Sequence, residues 1–277
     1  MTDRILLCVD LSYQVYRASA AHPMLTSRRT FTGGLYGFFT TLAKIIRETR
    51  ATEVAFCQDR KPYLRSKAYP EYKQIRKKNQ DDELLKMYNQ SMSLVLEVLG
   101  QLGFAPWGVD GFESDDMIGH AVSKYRGRFG MIYAASNDSD LFQLLNAPNF
   151  AIYTKDFLSC TTGKSLLANA GVTPDQFMLM TALTGTHNDI MGIAGVGPVT
   201  AKKAVLEPSF MREQRSKHAA LIDRNLGLIK LPHPEFPRAT PLPVKPRGFN
   251  SRELYRSLGQ YDIDVTNSMV TAFEQIT

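Results

Sequence analysis

Three short apolar runs that each end in aspartate alternate with longer segments of helical periodicity. The runs span 5–10, 53–59 and 130–138. The helical segments, with apolar residues at spacings of three and four, span 31–49, 82–103 and 114–126. Strands that alternate with helices predict an α/β fold with a mainly parallel central sheet flanked by helices.

The aspartates of these runs have a predictable location. In open α/β sheets, ligands bind outside the carboxyl ends of the strands. Asp10, Asp59 and Asp138 stand at such ends, and Asp140 follows two residues later. Three strands are therefore expected to bring carboxylates to the same edge of the sheet.

The segment FESDDMIGHA adds three carboxylates, Glu113, Asp115 and Asp116, just before a helix-like run. Ser114 is the predicted N-cap, so these acids would surround the first helical turn. A helix dipole contributes only roughly 0.3–1 kcal/mol per charge, too little to hold six or seven carboxylates together. Single acids at strand ends and N-caps are common, but the whole set favours a bound divalent cation.

The donor atoms indicate which cation to expect. An all-oxygen set without paired histidines favours magnesium or manganese over zinc. Such clusters commonly hydrolyse phosphate esters with one ion or with two ions roughly 3.5–4 Å apart. A phosphatase with an aspartyl nucleophile is a weaker alternative, since the DLS after the first run lacks the second aspartate of such enzymes.

The positive charge of the chain is concentrated in one window. The net charge is +6, and residues 60–78 hold eight Lys or Arg and one Glu, while the rest holds 25 basic and 26 acidic residues. Tyr63, Tyr69 and Tyr72 lie within this window, which is typical of contact with a nucleic acid that also offers bases to stack on. A solvated, charged helix face is the alternative.

Residues 185–206 carry a further pattern, GTHNDIMGIAGVGPVTAKKAVL. It predicts a helix end, a tight turn at Gly195 and Gly197, and a new helix that opens with Pro198. Exposed amides at such a helix start can hold a phosphate. An ordinary corner between two helices is the alternative.

Bulk features predict an ordinary globular protein. The 277 residues are 44% hydrophobic, enough for one large core or a core plus a small module. Three distant cysteines suggest a reducing compartment, and the absence of a long apolar run suggests a cytoplasmic protein without a leader. Towards the C-terminus we expect an amphipathic helix at 218–231, a proline-rich connector at 232–246, and one or two short helices packed on the main body.

Taken in order, these motifs resemble the structure-specific 5′ nuclease superfamily, in particular phage and bacterial 5′-3′ exonucleases and flap endonucleases. The resemblance covers about 6–206 and weakens towards 231. The matching segments are VDLSYQVYRA, FTGGLYGFF, YPEYKQIR, FESDDMIG, SNDSDLFQLL and GTHNDIMGIAGVGPVTA. Their order and spacing together are highly specific.

The resemblance implies a role for each matched residue. Lys73 would neutralise the scissile phosphate, Arg76 would contact the same or the next phosphate, and Tyr72 would stack on the base beside the cut. The first-metal ligands would be Asp10, Asp59, Glu113, Asp115, Asp116 and Asp138. The second-metal ligands would be Asp138, Asp140 and Asp189. The residues that contact DNA would be Tyr72, Lys73, Arg76, Gly195, Gly197, Thr200, Lys202 and Lys203.

The resemblance also implies an organisation and partners. Residues 1–184 would form the nuclease core with a helical arch at about 60–102, 185–231 a helix-three-turn-helix DNA-binding module that could hold K⁺, and 232–277 a connector with helices packed on the core. The expected partners are DNA 5′ flaps, 5′ ends and junctions, with RNA–DNA hybrids as a further option. We expect a monomer that does not bind membranes, in the cytoplasm of a bacterium or of a phage-infected cell.

Three positions depart from the family pattern. Thr186 replaces the first aspartate of GDxxDN, Ile190 replaces its asparagine, and Val199 replaces a lysine after the glycine turn. His187 could serve as a substitute ligand, although a lone loop histidine is more often a solvent-exposed polar residue. Two hypotheses follow: a metal-dependent 5′-3′ nuclease, or a flap-binding protein in which Thr186 has weakened catalysis.

Overall fold

A four-stranded sheet forms the centre of the molecule. The computed structural model describes residues 3–74, 81–155, 158, 160–186, 188–243 and 250–276. Four strands pair in the order β4-β1-β5-β6, and all three pairings are parallel. The strands are β1 (Ile5–Asp10), β2 (Thr26–Ser27), β3 (Thr30–Phe31), β4 (Glu53–Cys57), β5 (Met131–Ala135) and β6 (Phe150–Tyr153), with β2 and β3 forming a separate antiparallel pair.

Helices cover both faces of this sheet. They are α1 (Leu11–Ala21), α2 (Gly33–Thr49), α3 (Leu64–Ala68), α4 (Asp82–Gln101), α5 (Ser114–Tyr125), α6 (Gly163–Ala170), α7 (Pro174–Thr184), α8 (Pro198–Leu206), α9 (Pro208–Ile229), α10 (Ser251–Gly259) and α11 (Asn267–Gln275), with short 3₁₀ helices at Arg126–Arg128 and Ser139–Asn146. The predicted parallel sheet flanked by helices is confirmed. No described helix is both long and apolar enough to cross a membrane.

Side-chain alternation along β1 divides the core between the two faces. Leu7 and Val9 pack into one cluster with side chains of α1, α2 and α4, whereas Leu6 and Cys8 pack into the other with side chains of α5. Both sides of a parallel strand are thus buried, which explains why β1 is almost wholly apolar. Helices α10 and α11 complete the first cluster with side chains such as Phe273.

Several sequence-based boundaries were wrong. Strand β6 was not predicted, because its four residues are all buried and show no alternation. Helix α7 ends at Thr184, well before Gly195, so the helix end expected just before the glycine turn was wrong. The predicted helix at 218–231 is the second half of α9, which has non-helical backbone angles at His218.

Helix α4 lies in the segment for which an arch was predicted. Asp81 caps it by accepting hydrogen bonds from the amides of Glu83 and Leu84. Its buried face, which includes Val95 and Val98, packs against α1 and α2. Residues 75–80, the other part of the predicted arch and the position of Arg76, lie outside the described residues.

Candidate active site

Three strands bring aspartates to the carboxyl edge of the sheet. Asp10 is the last residue of β1, Asp59 lies two residues after β4, and Asp138 lies three residues after β5. Asp10 accepts hydrogen bonds from the Tyr13 amide (3.1 Å) and the Ser136 hydroxyl (3.1 Å). This edge is where the alternation of strands and helices predicted the ligand site.

Asp59 connects the starts of two helices. One of its carboxylate oxygens accepts from the Ser12 hydroxyl of α1 at 2.7 Å, and the other accepts from the Ser114 amide of α5 at 2.7 Å. The prediction that Ser114 is the N-cap was wrong. Glu113 is the cap residue, and Ser114 is the first residue of the helix. The shift by one residue leaves the Ser114 amide free to bind Asp59.

Burial raises the pKa values of several of these acids. The pKa of Asp10 is raised to about 7 by burial and then by the charge of Asp59. The pKa of Asp140 is also raised to about 7, by burial and then by Asp138. Burial, Asp138 and Asp10 raise the pKa of Asp115 well above its ordinary value. In each case burial is the largest cause, and a neighbouring carboxylate adds to it.

Glu113 is the acid with the most cationic contacts. It pairs with the Lys73 ammonium, accepts from the Tyr72 hydroxyl at 2.8 Å, and accepts from the Arg65 guanidinium at 3.2 Å. Burial alone would lower the pKa of Lys73, but the charge of Glu113 and the hydrogen bond to it outweigh burial and raise that pKa. Lys73 is thus held as a cation against the acidic cluster.

Tyr72 does not occupy the position expected for base stacking. Its side chain is 4% exposed and packs beside Ile190 and Leu228, and its hydroxyl is bound to Glu113. Burial and then Glu113 raise the pKa of Tyr72 well above its usual value, so the phenol remains a neutral donor. The ring is therefore buried in this arrangement, and its stacking on a base stays a prediction that requires the side chain to move.

Asp116 also differs from its predicted role. Both of its carboxylate oxygens bind the Arg65 guanidinium, at 2.6 and 2.8 Å. The same two oxygens accept from the amides of Glu113 (3.1 Å) and His233 (2.8 Å). With every oxygen engaged and the side chain fully buried, Asp116 anchors the site instead of facing a metal.

Arg65 is a site residue that the sequence reasoning missed. It is 4% exposed, and besides its two acids it donates to the carbonyl oxygens of Leu228 (2.7 Å) and Lys230 (3.2 Å). Within the basic window it looked like one of eight surface cations. The sequence position of Arg65, eight residues before Lys73, does not predict that it is buried. Its burial depends on the contact of α3 with α5 and with the end of α9.

The segment 185–190 forms a tight loop beside the acids. The Thr186 amide donates to the carbonyl oxygen of Ile190 at 3.0 Å, and Ile190 is buried against Tyr72. Gly185 permits this closure, since it has a φ of +81° and an added Cβ would lie 2.2 Å from the Ile190 carbonyl oxygen. Asp189 lies in the same loop with a φ of +65°. His187 lies outside the described residues.

Asn188 links this loop to the acids and was also missed. Its side-chain amide donates to Asp140 at 3.4 Å, and its carbonyl oxygen accepts from the Lys73 amide at 3.0 Å. In the sequence it is one of the two unspecified positions of GDxxDN. Only the closed loop places it against Asp140.

The residues predicted to contact DNA on the second module are accessible. Gly195 has a φ of +79°, and no atom lies within 4 Å of the position that a Cβ would take there or at Gly197. Gly197 is the N-cap residue of α8, and Gly197, Pro198 and Val199 are exposed. Lys202 and Lys203 are exposed on the same helix, and Thr200 is partly exposed.

Three of the predicted acids share one cavity. Glu113, Asp115 and Asp140 line one small cavity together with Arg65 and Tyr72. Within the described ranges, no three Asp, Glu, His or Cys side chains already lie close enough to hold an ion. The chemistry of the donor set nevertheless fits a cation, since one carboxylate oxygen of Asp115 is buried without a hydrogen-bond partner.

The fold and the order of motifs place the chain in the structure-specific 5′ nuclease superfamily. The family model described as "5′-3′ exonuclease, N-terminal resolvase-like domain" matches residues 5–172. The chain belongs to this 5′-3′ exonuclease family.

The curated relatives are longer proteins. The thermostable DNA polymerase I of Thermus filiformis is 31% identical over 206 residues, which are 74% of this chain and 24% of that protein. The DNA polymerase I of Mycobacterium bovis is 28% identical over 208 residues, which are 73% of this chain and 22% of that protein. The chain thus spans about a quarter of the length of the relatives that it matches.

Solved structures share the fold over most of the chain. The zinc-bound T5 5′-exonuclease has a TM-score of 0.67 at 20% identity and covers 83% of this chain and 90% of its own. The flap endonuclease-1 of Methanococcus jannaschii has a TM-score of 0.62 at 14% identity and covers 98% of this chain and 92% of its own.

Proposed function

We propose that this protein is a divalent-metal-dependent 5′-3′ nuclease that hydrolyses DNA phosphodiesters near 5′ ends and single-strand to double-strand junctions, leaving 5′-phosphates. The observation that carries the proposal is the pairing of Lys73 with Glu113. The ammonium that would bind the scissile phosphate contacts Glu113, which lines one cavity with Asp115 and Asp140. RNA–DNA hybrids are a further candidate substrate.

Related structures support the metal and the DNA. A T5 flap endonuclease variant was solved as a pseudo-enzyme-product complex with DNA and metal ions. The catalytic core of Rad2 was solved with a DNA substrate, and human GEN1 with Holliday junction DNA. Magnesium or manganese is the ion that carboxylate oxygens favour here.

The candidate metal ligands divide into two groups. The residues that would hold the first ion are Asp10, Asp59, Glu113, Asp115 and Asp138. The residues that would hold the second ion are Asp138, Asp140 and Asp189. When bound, the ions supply positive charge that favours ionisation of the attacking water and stabilises the leaving oxygen.

The side chains around the acids prepare the site. Arg65 holds Asp116 and Glu113 in place, and Tyr72 orients Glu113 through its neutral hydroxyl. Lys73 would exchange Glu113 for the scissile phosphate when substrate enters. A Lys ammonium is a compact charge that suits the phosphate as its negative charge grows.

The second module would hold the duplex. The open helix start at Gly195 and Gly197 would bind backbone phosphates through amides, with Lys202 and Lys203 close by. Thr200 and a K⁺ ion at this turn belong to the same proposal. Residues 1–184, 185–231 and 232–277 would act as core, DNA-binding region, and connector with supporting helices, in a monomer located in the cytoplasm.

The test uses a 5′-labelled flap and a recessed duplex with the purified chain. In magnesium or manganese, short 5′-labelled products should appear. The variant Asp115→Asn should lose most of this activity, and the matched control Asp175→Asn, at an exposed residue that contacts Asn146, should retain it. If the pure protein binds the flap and releases no product with either ion, the nuclease proposal is wrong.

A flap-binding protein with weak catalysis is the second candidate. The observation that favours it is Thr186, whose hydroxyl accepts from the Asn188 amide at 3.0 Å and cannot supply a carboxylate. It predicts tight junction binding in calcium with negligible turnover in magnesium. A turnover rate comparable to that of other 5′ nucleases would exclude it.

A further inference from the structure

Asn188 lies two residues after Thr186, the position at which the family pattern has an aspartate. Its side chain is 3% exposed, and its Nδ2 donates to Asp140 Oδ2 at 3.4 Å. Asp140 lines the same cavity as Asp115 and Glu113. The amide therefore reaches the acidic cluster from a loop in which Thr186 stands where a carboxylate is expected.

The loop holds Asn188 firmly. The backbone amide of Asn188 donates to Thr186 Oγ1 at 3.0 Å, and the backbone oxygen of Asn188 accepts from the Lys73 amide at 3.0 Å. The loop is closed by the hydrogen bond between Thr186 and Ile190, and the Ile190 side chain is buried in a small apolar cluster. Thr186 thus acts locally, as the acceptor that orients the backbone of Asn188.

The side-chain oxygen of Asn188 takes no part in the hydrogen bonds that hold the loop. Oδ1 is buried and has no hydrogen-bond partner. A buried acceptor without a partner destabilises the folded protein. The unpaired oxygen belongs to the same side-chain amide whose Nδ2 contacts the Asp140 carboxylate.

We propose that Asn188 Oδ1 replaces the carboxylate missing at position 186 as an oxygen ligand of the second divalent cation, beside Asp140. Asn carbonyl oxygens are ordinary ligands of magnesium-like ions. The Nδ2 contact holds Asp140 while Oδ1 completes the set. The inference rests on the proposed metal-dependent function and assigns a residue that the motif leaves unspecified.

A neutral amide in place of a carboxylate has a measurable consequence. The second site has one negative charge fewer than a site with aspartate at 186, so it should bind its ion more weakly than the first site. The protein should therefore fill its two sites in clearly separate steps of a manganese titration.

The experiment measures bound Mn²⁺ by electron paramagnetic resonance of the free ion, with no DNA present. The wild type should bind two ions. Asn188→Ala should weaken the second by about tenfold or more and leave the first unchanged, since loss of even a supporting residue costs about 10–100-fold. Asn188→Asp should restore the second. The matched control is Asn146→Ala, which removes an exposed amide that contacts Asp175.

A crystal of the wild type soaked in Mn²⁺ gives a second reading that does not depend on a variant's folding. Its anomalous density should place an ion at ordinary metal–oxygen distance, about 2.0–2.6 Å, from Asn188 Oδ1. The inference is overturned if the wild type binds two ions and Asn188→Ala binds both equally well, if only one ion binds, or if Oδ1 contacts neither ion. If the wild type binds no ion at all, the metal-dependent function fails as well.

Discussion

The buried guanidinium of Arg65 should be a main support of the candidate site, and Arg65→Ala tests this. Arg65 binds both oxygens of Asp116, one oxygen of Glu113, and two carbonyl oxygens at the end of α9. Removing it leaves a fully buried carboxylate without its counter-ion. Loss of one partner of a buried pair costs about 3–5 kcal/mol of unfolding free energy.

The assay is urea unfolding of the metal-free protein, followed by circular dichroism. With an m-value of about 1–3 kcal/mol/M, that loss should move the midpoint by one to a few molar. The matched control is Arg215→Ala, because Arg215 pairs with Asp223 on the surface, with about half of each side chain exposed. A surface pair contributes about 0–1 kcal/mol, so this control should hardly shift the midpoint.

A double-mutant cycle with Asp116→Ala separates the pair from its surroundings. The double variant should be less destabilised than the sum of the two single variants, with a coupling energy of about 2 kcal/mol or more, because neither charge is left alone. Arg65→Lys should fall between wild type and alanine, since one ammonium cannot bind both oxygens of Asp116 in parallel. Additive effects, or an Arg65→Ala cost no larger than that of Arg215→Ala, would refute the reasoning.

Three further predictions concern catalysis and the acids. Lys73→Ala should lower kcat on a labelled flap more than it weakens DNA binding, because the lysine acts on the reacting phosphate; equal losses in both would reduce it to a positioning contact. If Thr186 is what weakens catalysis, as in the flap-binding alternative, Thr186→Asp should raise the cleavage rate in magnesium by adding a carboxylate to the second site; an unchanged rate would show that Thr186 is not the defect. In the metal-free protein, Asp10 and Asp140 have pKa values of about 7 against an ordinary 3.8, so the native state binds more protons than the unfolded chain between these values. Stability in EDTA should therefore fall by a few kcal/mol as the pH rises from about 4 to 7, and magnesium should restore it mainly at pH 8; a flat urea midpoint between pH 5 and 8 in EDTA would contradict the shifts.

Local pattern was enough to predict the architecture around the site. The apolar runs before Asp10, Asp59 and Asp138 identified three parallel strands, because strands buried on both faces are apolar throughout. Since parallel strands end at one edge, the same runs also predicted where the acids would gather. Strand β6 escaped prediction because a short buried strand and a short buried helix have the same composition.

Contacts between distant segments decided the individual roles. Tyr72 and Arg65 belong to a basic, aromatic window that predicts a nucleic-acid-binding surface. Both side chains are instead buried against Glu113. The resemblance of FESDDMIG to the family motif predicts that Asp116 is a metal ligand, but the His233 amide and Arg65 donate hydrogen bonds to its oxygens. These partners lie far apart in the sequence, so no local sequence pattern predicts their contacts.

The sequence by itself determined the parallel sheet, the edge at which carboxylates collect, and the family to which the chain belongs. Only the tertiary structure decided which acids remain available to a cation, because that depends on which cationic and amide groups already bind them. It also decided that Asn188, at a position that the motif leaves unspecified, contacts Asp140. The alternation of strands and helices follows from local periodicity, whereas strand order and hydrogen-bond partnership follow from how distant segments pack.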